Sequence, residues 1–135
     1  MTEIQYVPRD YVQQTWPKVE KYFEAAVEFS AGEYTTAQIR NFVSQGQWLL
    51  FVATRDGEVN GAGTVEMINL PNSRVAFITA LGGRNMVNKT TFKQFCGWVK
   101  QFGATKVRAA TRDELLRLYS MSGMTKKYNI VEIDI

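Results

Sequence analysis

The stretch that decides the fold runs from residue 48 to residue 83, WLLFVATRDGEVNGAGTVEMINLPNSRVAFITALGG. Residues 48–54 are mostly apolar, the pattern of a strand buried on both faces. Asp56-Gly57 follows, a strong two-residue hairpin signal. A return strand is expected over residues 59–69, a second turn at Pro71-Asn72, and a third strand over residues 74–81. Gly82 and Gly83 break that strand. The product is an antiparallel meander.

Toward the C-terminus, Asn88 can cap a helix whose apolar positions are Phe92, Phe95, Cys96, Val99 and Phe102, closed by Gly103. Residues 106–110 read as the next strand. A crossover of this kind makes it a parallel neighbour of the third meander strand. Thr111 and Glu114 have capping-box spacing and open a helix over residues 115–121. Gly123 ends it, and residues 127–135 alternate as a final strand.

Toward the N-terminus, Val12, Trp16, Val19, Phe23 and Val27 recur at three- and four-residue steps, giving a helix over residues 10–30 that Gly32 ends. Pro17 favours a first turn, which points to a start near Trp16. Thr35 with Gln38 is a capping box for a shorter helix carrying Ile39, Phe42 and Val43, with Gly46 at its end. The expected architecture is α+β: a mixed central sheet flanked by helices, in one domain over residues 1–135.

Composition narrows the chemistry. With 45% hydrophobic and 13% aromatic residues, the chain can bury its own core. It has no histidine and one cysteine, which excludes an internal disulfide, a Cys/His zinc site, and Ser-His or Cys-His catalysis. No metal site is expected. Cys96 lies in an apolar stretch and reads as a core thiol before it reads as a nucleophile. Any acid or base must be Asp, Glu, Lys, Tyr, Cys or a chain terminus.

The net charge of +3 comes from basic residues spread along the chain, so nucleic acid is not the expected partner. The densest basic group, Arg108, Arg112, Arg117, Lys126 and Lys127, suits a phosphate-bearing partner of either kind, nucleic acid or nucleotide cofactor. Residues 1–8 lack the basic start and apolar run of a secretory signal, and no stretch reaches the ~18 apolar residues of a membrane span. A cytoplasmic location without membrane contact is the expectation.

The order of elements resembles that of the GCN5-related N-acetyltransferases (GNATs): N-terminal helices, a meander, a helix, a strand, a helix and a last strand. The segment TRDELLRLYSMSGMTKKYNIVEIDI, residues 111–135, looks like that family's final motif. Leu118-Tyr119 stands for its Leu-Tyr pair, and Gly123-Met124 for its Gly-Phe. WPKVEKYFEAA (residues 16–26) and GEYTTAQIRNFVSQGQWLLFVA (residues 32–53), with the Gly-Gly strand exit and a Trp-bearing helix, resemble small GNAT-like proteins of tailed bacteriophages.

The resemblance implies acetyl-CoA as cofactor and an amine as acceptor. Tyr119 would be the general acid on the departing thiolate, and is otherwise a half-buried helix residue with its hydroxyl at the surface. Glu66 would be the base, and is otherwise a solvent-facing strand carboxylate. The third strand, RVAFITAL, has no acid of its own. Backbone amides of Thr79, Ala80 and Leu81 would polarise the thioester carbonyl.

The family places Arg/Gln-x-x-Gly-x-Gly/Ala after that strand to cradle the pyrophosphate. This chain has LGGRNMVNKT, residues 81–90, with Gly82 and Gly83 early and no glycine after them. Gly82, Gly83, Arg84, Lys89 and the amides near Asn88 would hold an anion. Alternatively the segment is a Gly-Gly strand exit capped by Asn88. Two functions follow from the resemblance: an acyl-CoA-dependent N-acetyltransferase, or a degenerate phage GNAT-like protein acting among other virion proteins or as an interaction module.

Overall fold

The computed structural model describes residues 2–28, 32–84 and 86–135. A five-stranded sheet runs in the order β1 (Glu3–Val7), β2 (Trp48–Arg55), β3 (Glu58–Leu70), β4 (Ser73–Gly83) and β5 (Lys106–Ala109). The first four strands are successively antiparallel. β5 lies parallel to β4, from Val75 opposite Lys106 to Ile78 opposite Ala109. Both the meander and the parallel crossover are as the sequence predicts. Asp56 (φ 54°) and Gly57 (φ 80°) form the first hairpin turn, with positive φ at both positions.

The helices are α1 (Val12–Val27), after a 3-10 turn at Arg9–Tyr11, then α2 (Thr36–Ser44), α3 (Lys89–Gln101) and α4 (Asp113–Met121). α1 and α2 cover one sheet face, burying Trp16, Phe23 and Ile39 against Trp48, Leu50 and Ala62. The Trp16 and Phe23 rings stack with centroids 5.5 Å apart. α3 covers the other face, where Val99 meets Phe51, Val65 and Ala76. The Thr35–Gln38 capping box is present, with both reciprocal bonds made.

Three details depart from the sequence reading. β1 was not anticipated; its five residues carry little pattern before Pro8 stops them. α1 starts at Val12 and runs through Pro17, because burial of Val12 and Trp16 holds the first turn despite the missing amide donor. The expected end of that helix, at residues 29–30, lies outside the described residues. α4 is preceded by Arg112, with no side-chain cap, so the Thr111–Glu114 box does not form. Thr111 instead donates its hydroxyl to the Arg112 carbonyl at 3.2 Å.

The largest departure is at the C-terminus. Residues 127–135 form no strand; all of them are exposed. No described residue makes a ladder with them, and alternation alone cannot make a strand without a partner.

Candidate functional site

The site grows from a bulge in β4. Thr64 opposes Ala80 and Val65 opposes Ile78, which leaves Thr79 as the extra residue. The fully buried Thr64 hydroxyl shares a 2.8 Å hydrogen bond with the Thr79 hydroxyl. Pairing of β4 with β5 stops one residue before, at Ile78. Beyond it β4 continues to Gly83 on β3 alone, so the sheet opens on its β5 side.

A cleft of about 330 Å³ occupies that opening. Phe77, Thr79, Ala80 and Leu81 form its floor, Tyr34 and Glu33 one wall, and Ala110, Thr111, Arg112, Leu115 and Tyr119 the other. Among the described residues no strand lies beside the backbone of residues 79–81 on this side, so an extended polar chain could add there as a strand does.

Tyr119 is buried, at 5% exposure, with its ring edge-on to Phe92 at 6.3 Å. Its hydroxyl hydrogen-bonds to no described residue. Burial pushes the phenol above its ordinary 10.0, so it keeps its proton at neutral pH. Tyr34, across the cleft, is also raised, first by burial and then by the negative charges of Glu33 and Glu66.

Glu66 does not face open solvent. It lies opposite Trp48 in the β2–β3 register, and its carboxylate accepts the indole N–H at 3.1 Å. The Trp48 ring meets Tyr34 edge-on at 4.8 Å, and the Glu66 charge acts on the Tyr34 phenol, but Glu66 does not line the cleft.

The anion-binding candidates are arranged otherwise. Gly82 and Gly83 are strand residues, opposite Ala62 and Gly61. A side chain on Gly82 would collide with the backbone carbonyl of Tyr22 in α1, and one on Gly83 with Gly61 and the Asn60 carbonyl. Their smallness therefore serves close packing of α1, β3 and β4. Arg84 is exposed past the strand end and is not among the cleft's lining residues.

Asn88 caps α3, its side chain accepting from the Thr91 amide at 3.0 Å, while the Asn88 amide donates to Thr91 Oγ1 at 3.3 Å. Thr91 also donates its hydroxyl to the Met86 carbonyl at 2.8 Å. The Met86 side chain is pressed against Gly61 and lines a small apolar cavity with Phe51, Leu81 and Phe92. Met86 and Asn88, ahead of α3, are thus held inward.

The fit to an acyl-CoA is accordingly divided. The opened strand and cleft suit the acyl thioester and its extended amide-bearing arm. Among the described residues no Gly-rich cradle for a pyrophosphate is built, since Gly82 and Gly83 are committed to the strand. Sequence reasoning named Thr79, Ala80, Leu81 and Tyr119 together, but missed Glu33 and Tyr34, which stand in the quoted GEY, and missed Thr64. No group of three or more His, Cys, Asp or Glu residues among those described could hold a metal. No described helix is long and apolar enough to cross a membrane.

Among solved structures, an aminoglycoside acetyltransferase from an uncultured soil metagenomic sample, in complex with sisomicin, superposes with a TM-score of 0.72 at 15% identity, covering 99% of this chain and 95% of that one. A predicted acetyltransferase from Clostridium acetobutylicum, solved with acetyl-CoA, gives 0.67 at 10% identity over 99% and 96% of the two chains. A Trypanosoma brucei acetyltransferase gives 0.64 at 11% identity over the whole of both. No protein-family model matches the sequence, and no curated protein does. At these identities the likeness establishes the fold, and the fold is that of the GNAT acetyltransferases.

Proposed function

We propose that this chain is an N-acetyltransferase that moves an acetyl group from an acyl-CoA to an amine. The observation that carries this reading is the opening of the sheet at Thr79, with the buried Tyr119 lining the same cleft as Thr79, Ala80 and Leu81. The cofactor would supply an acetyl group activated as a thioester. Thr79, Ala80 and Leu81 hold the arm by strand-like backbone bonds, and an amide in that run polarises the acetyl carbonyl.

The amine approaches from the wall made by Glu33 and Tyr34, which are favourable to a cation. Glu66, fixed by Trp48, takes the proton that the amine must lose before attack, directly or through water. Tyr119 then gives its proton to the thiolate as the carbon–sulfur bond breaks. Burial keeps that proton in place until it is needed.

Acetyl-CoA titration with a thermal unfolding readout tests the reading. At 100 times its dissociation constant the ligand should stabilise the fold by roughly 2.7 kcal/mol. An unchanged melting temperature at millimolar acetyl-CoA would refute cofactor binding.

One observation favours a second reading. Gly82, Gly83 and Asn88 are committed to packing and capping, which leaves the nucleotide end of the cofactor without its usual cradle. On that reading the chain is a non-catalytic member of the fold, an interaction module or a virion component, and the same titration separates the two.

A further inference from the structure

The bulge at Thr79 also shapes the face of β4 that α3 covers. In an unbroken strand, side chains that share a face stand two residues apart. Gly63 and Val65 keep that spacing on β3. Their partners on β4, Leu81 and Ile78, stand three apart, because Thr79 is the extra residue between them. Val65 packs with Val99 in the core beneath α3, which fixes the face concerned. The gap between Ile78 and Leu81 is not filled from β3, since Gly63 has no side chain. A Cβ there would lie 3.1 Å from Leu81 Cδ1 and 3.3 Å from the Ala80 carbonyl oxygen. A cavity of about 40 Å³ lies at this point, walled on the α3 side by Met86, Phe92 and Phe95.

The cavity suits an apolar guest. Among the described residues its only polar side chains are Thr64 and Thr91, and both are engaged. Thr64 shares a 2.8 Å bond with the Thr79 hydroxyl, and Thr91 donates to the Met86 carbonyl at 2.8 Å. Such a lining offers a water little of the two to four polar partners it needs. Ile78 and Leu81 line both this cavity and the cleft, and each is half-buried. Phe92, on the cavity wall, meets Tyr119 of the cleft edge-on. Cavity and cleft are thus parted by side chains free to change rotamer, and the unbranched Met86 yields readily as well.

We propose that this cavity receives the alkyl end of the acyl group, so that donors one or two methylenes longer than acetyl-CoA, propionyl- and butyryl-CoA, are preferred to it. The inference rests on the acyl-transfer reading above. On that reading an amide of residues 79–81 holds the thioester oxygen and Tyr119 faces the sulfur. The amine arrives beside Tyr34, which packs with the core under α1 and α2. The remaining substituent of the trigonal carbon is left the direction of Ile78 and Leu81, on the opposite face. About 40 Å³ is room for roughly three water-sized groups, enough for a short extension and too little for a long chain. The bond changes stay the same. The nitrogen–carbon bond forms and the carbon–sulfur bond breaks, the amine's proton goes to Glu66, and the thiolate receives one from Tyr119.

Calorimetric titration of the whole chain with CoA and with acetyl-, propionyl-, butyryl- and octanoyl-CoA tests this. Kd should tighten about fourfold for each methylene added up to butyryl, the worth of moving one methylene out of water, and weaken again for octanoyl. Val65→Ile puts one more methylene into the cavity and should abolish the preference for propionyl over acetyl. Met86→Ala enlarges the cavity and should shift the optimum to a longer chain. Unliganded melting curves of both variants establish that they are folded. Acetyl-CoA binding more tightly than propionyl-CoA would overturn this inference and leave acyl transfer standing. So would a chain-length preference that neither variant alters. Binding of none of the five compounds would overturn the acyl-transfer reading and the pocket with it.

Discussion

The hydroxyls of Thr64 and Thr79 meet at 2.8 Å where β4 bulges away from β5, so a buried hydrogen bond sits at the point where the sheet opens. Thr64→Val removes one partner at nearly constant volume. Thr79 borders the cleft and can turn to water, so the loss should be about 0.5–1.5 kcal/mol. A cycle with Thr79→Val should return a coupling energy of similar size by urea denaturation. Zero coupling would show that the bulge holds without this bond.

Gly82 and Gly97 should respond to alanine in opposite directions. The added methyl at Gly82 meets the Tyr22 carbonyl, a backbone atom that cannot swing aside, and should cost about 1–3 kcal/mol. At Gly97, on the exposed side of α3, the methyl meets nothing within 4 Å and should stabilise by roughly 0.5–1 kcal/mol. A neutral Gly82→Ala would undercut the packing role and return Gly82 to the list of phosphate-binding candidates.

The pattern of what the sequence disclosed follows from where information is local. Asp56-Gly57, the Thr35–Gln38 box and the Asn88 cap are short-range devices, and each appears where its residues stand. The parallel β4–β5 pairing follows from the crossover between them. The Thr79 bulge depends on a partner fifteen positions away, and the approach of Glu33 and Tyr34 to Thr79 on the folding of α1 against β4 and of α2 against α1 and β2. Neither leaves a mark in the local pattern. The tail shows the converse: residues 127–135 read as a strand in sequence, but pairing is a property of two strands, and no described residue ladders with them.

Stability should fall in alkali through the buried phenols. Burial raises Tyr119 and Tyr34 above 10.0, so the folded state binds these protons more tightly than the unfolded chain. Their contribution is complete below the unfolded value and is lost as pH rises through the folded values. Cys96, raised by burial from 9.0, acts in the same sense from a lower starting point. Denaturation midpoints should therefore decline from about pH 9 upward, and Tyr119→Phe should make that decline shallower. An unchanged slope in the variant would mean that Tyr119 titrates as it does in the unfolded chain.

The same substitution separates an acid from a packing residue at neutral pH. Tyr119→Phe keeps the edge-on contact with Phe92 and removes a hydroxyl that hydrogen-bonds to no described residue. Stability should change by less than about 1.5 kcal/mol, because no internal hydrogen bond is lost. If the phenol protonates the thiolate, acetyl transfer should fall by about 10²–10⁴-fold in kcat, the usual worth of a positioned acid. KM for acetyl-CoA should move little, since the arm is held by the backbone of residues 79–81. The thiol leaving group gives a finer test. An acyl donor whose thiol has a much lower pKa needs less protonation on departure, so the variant should be less impaired with it than with acetyl-CoA. Equal impairment with both donors would mean that Tyr119 positions the substrate. Acetyl transfer left intact by the substitution would remove the proposed acid while leaving the fold and the cleft as they stand.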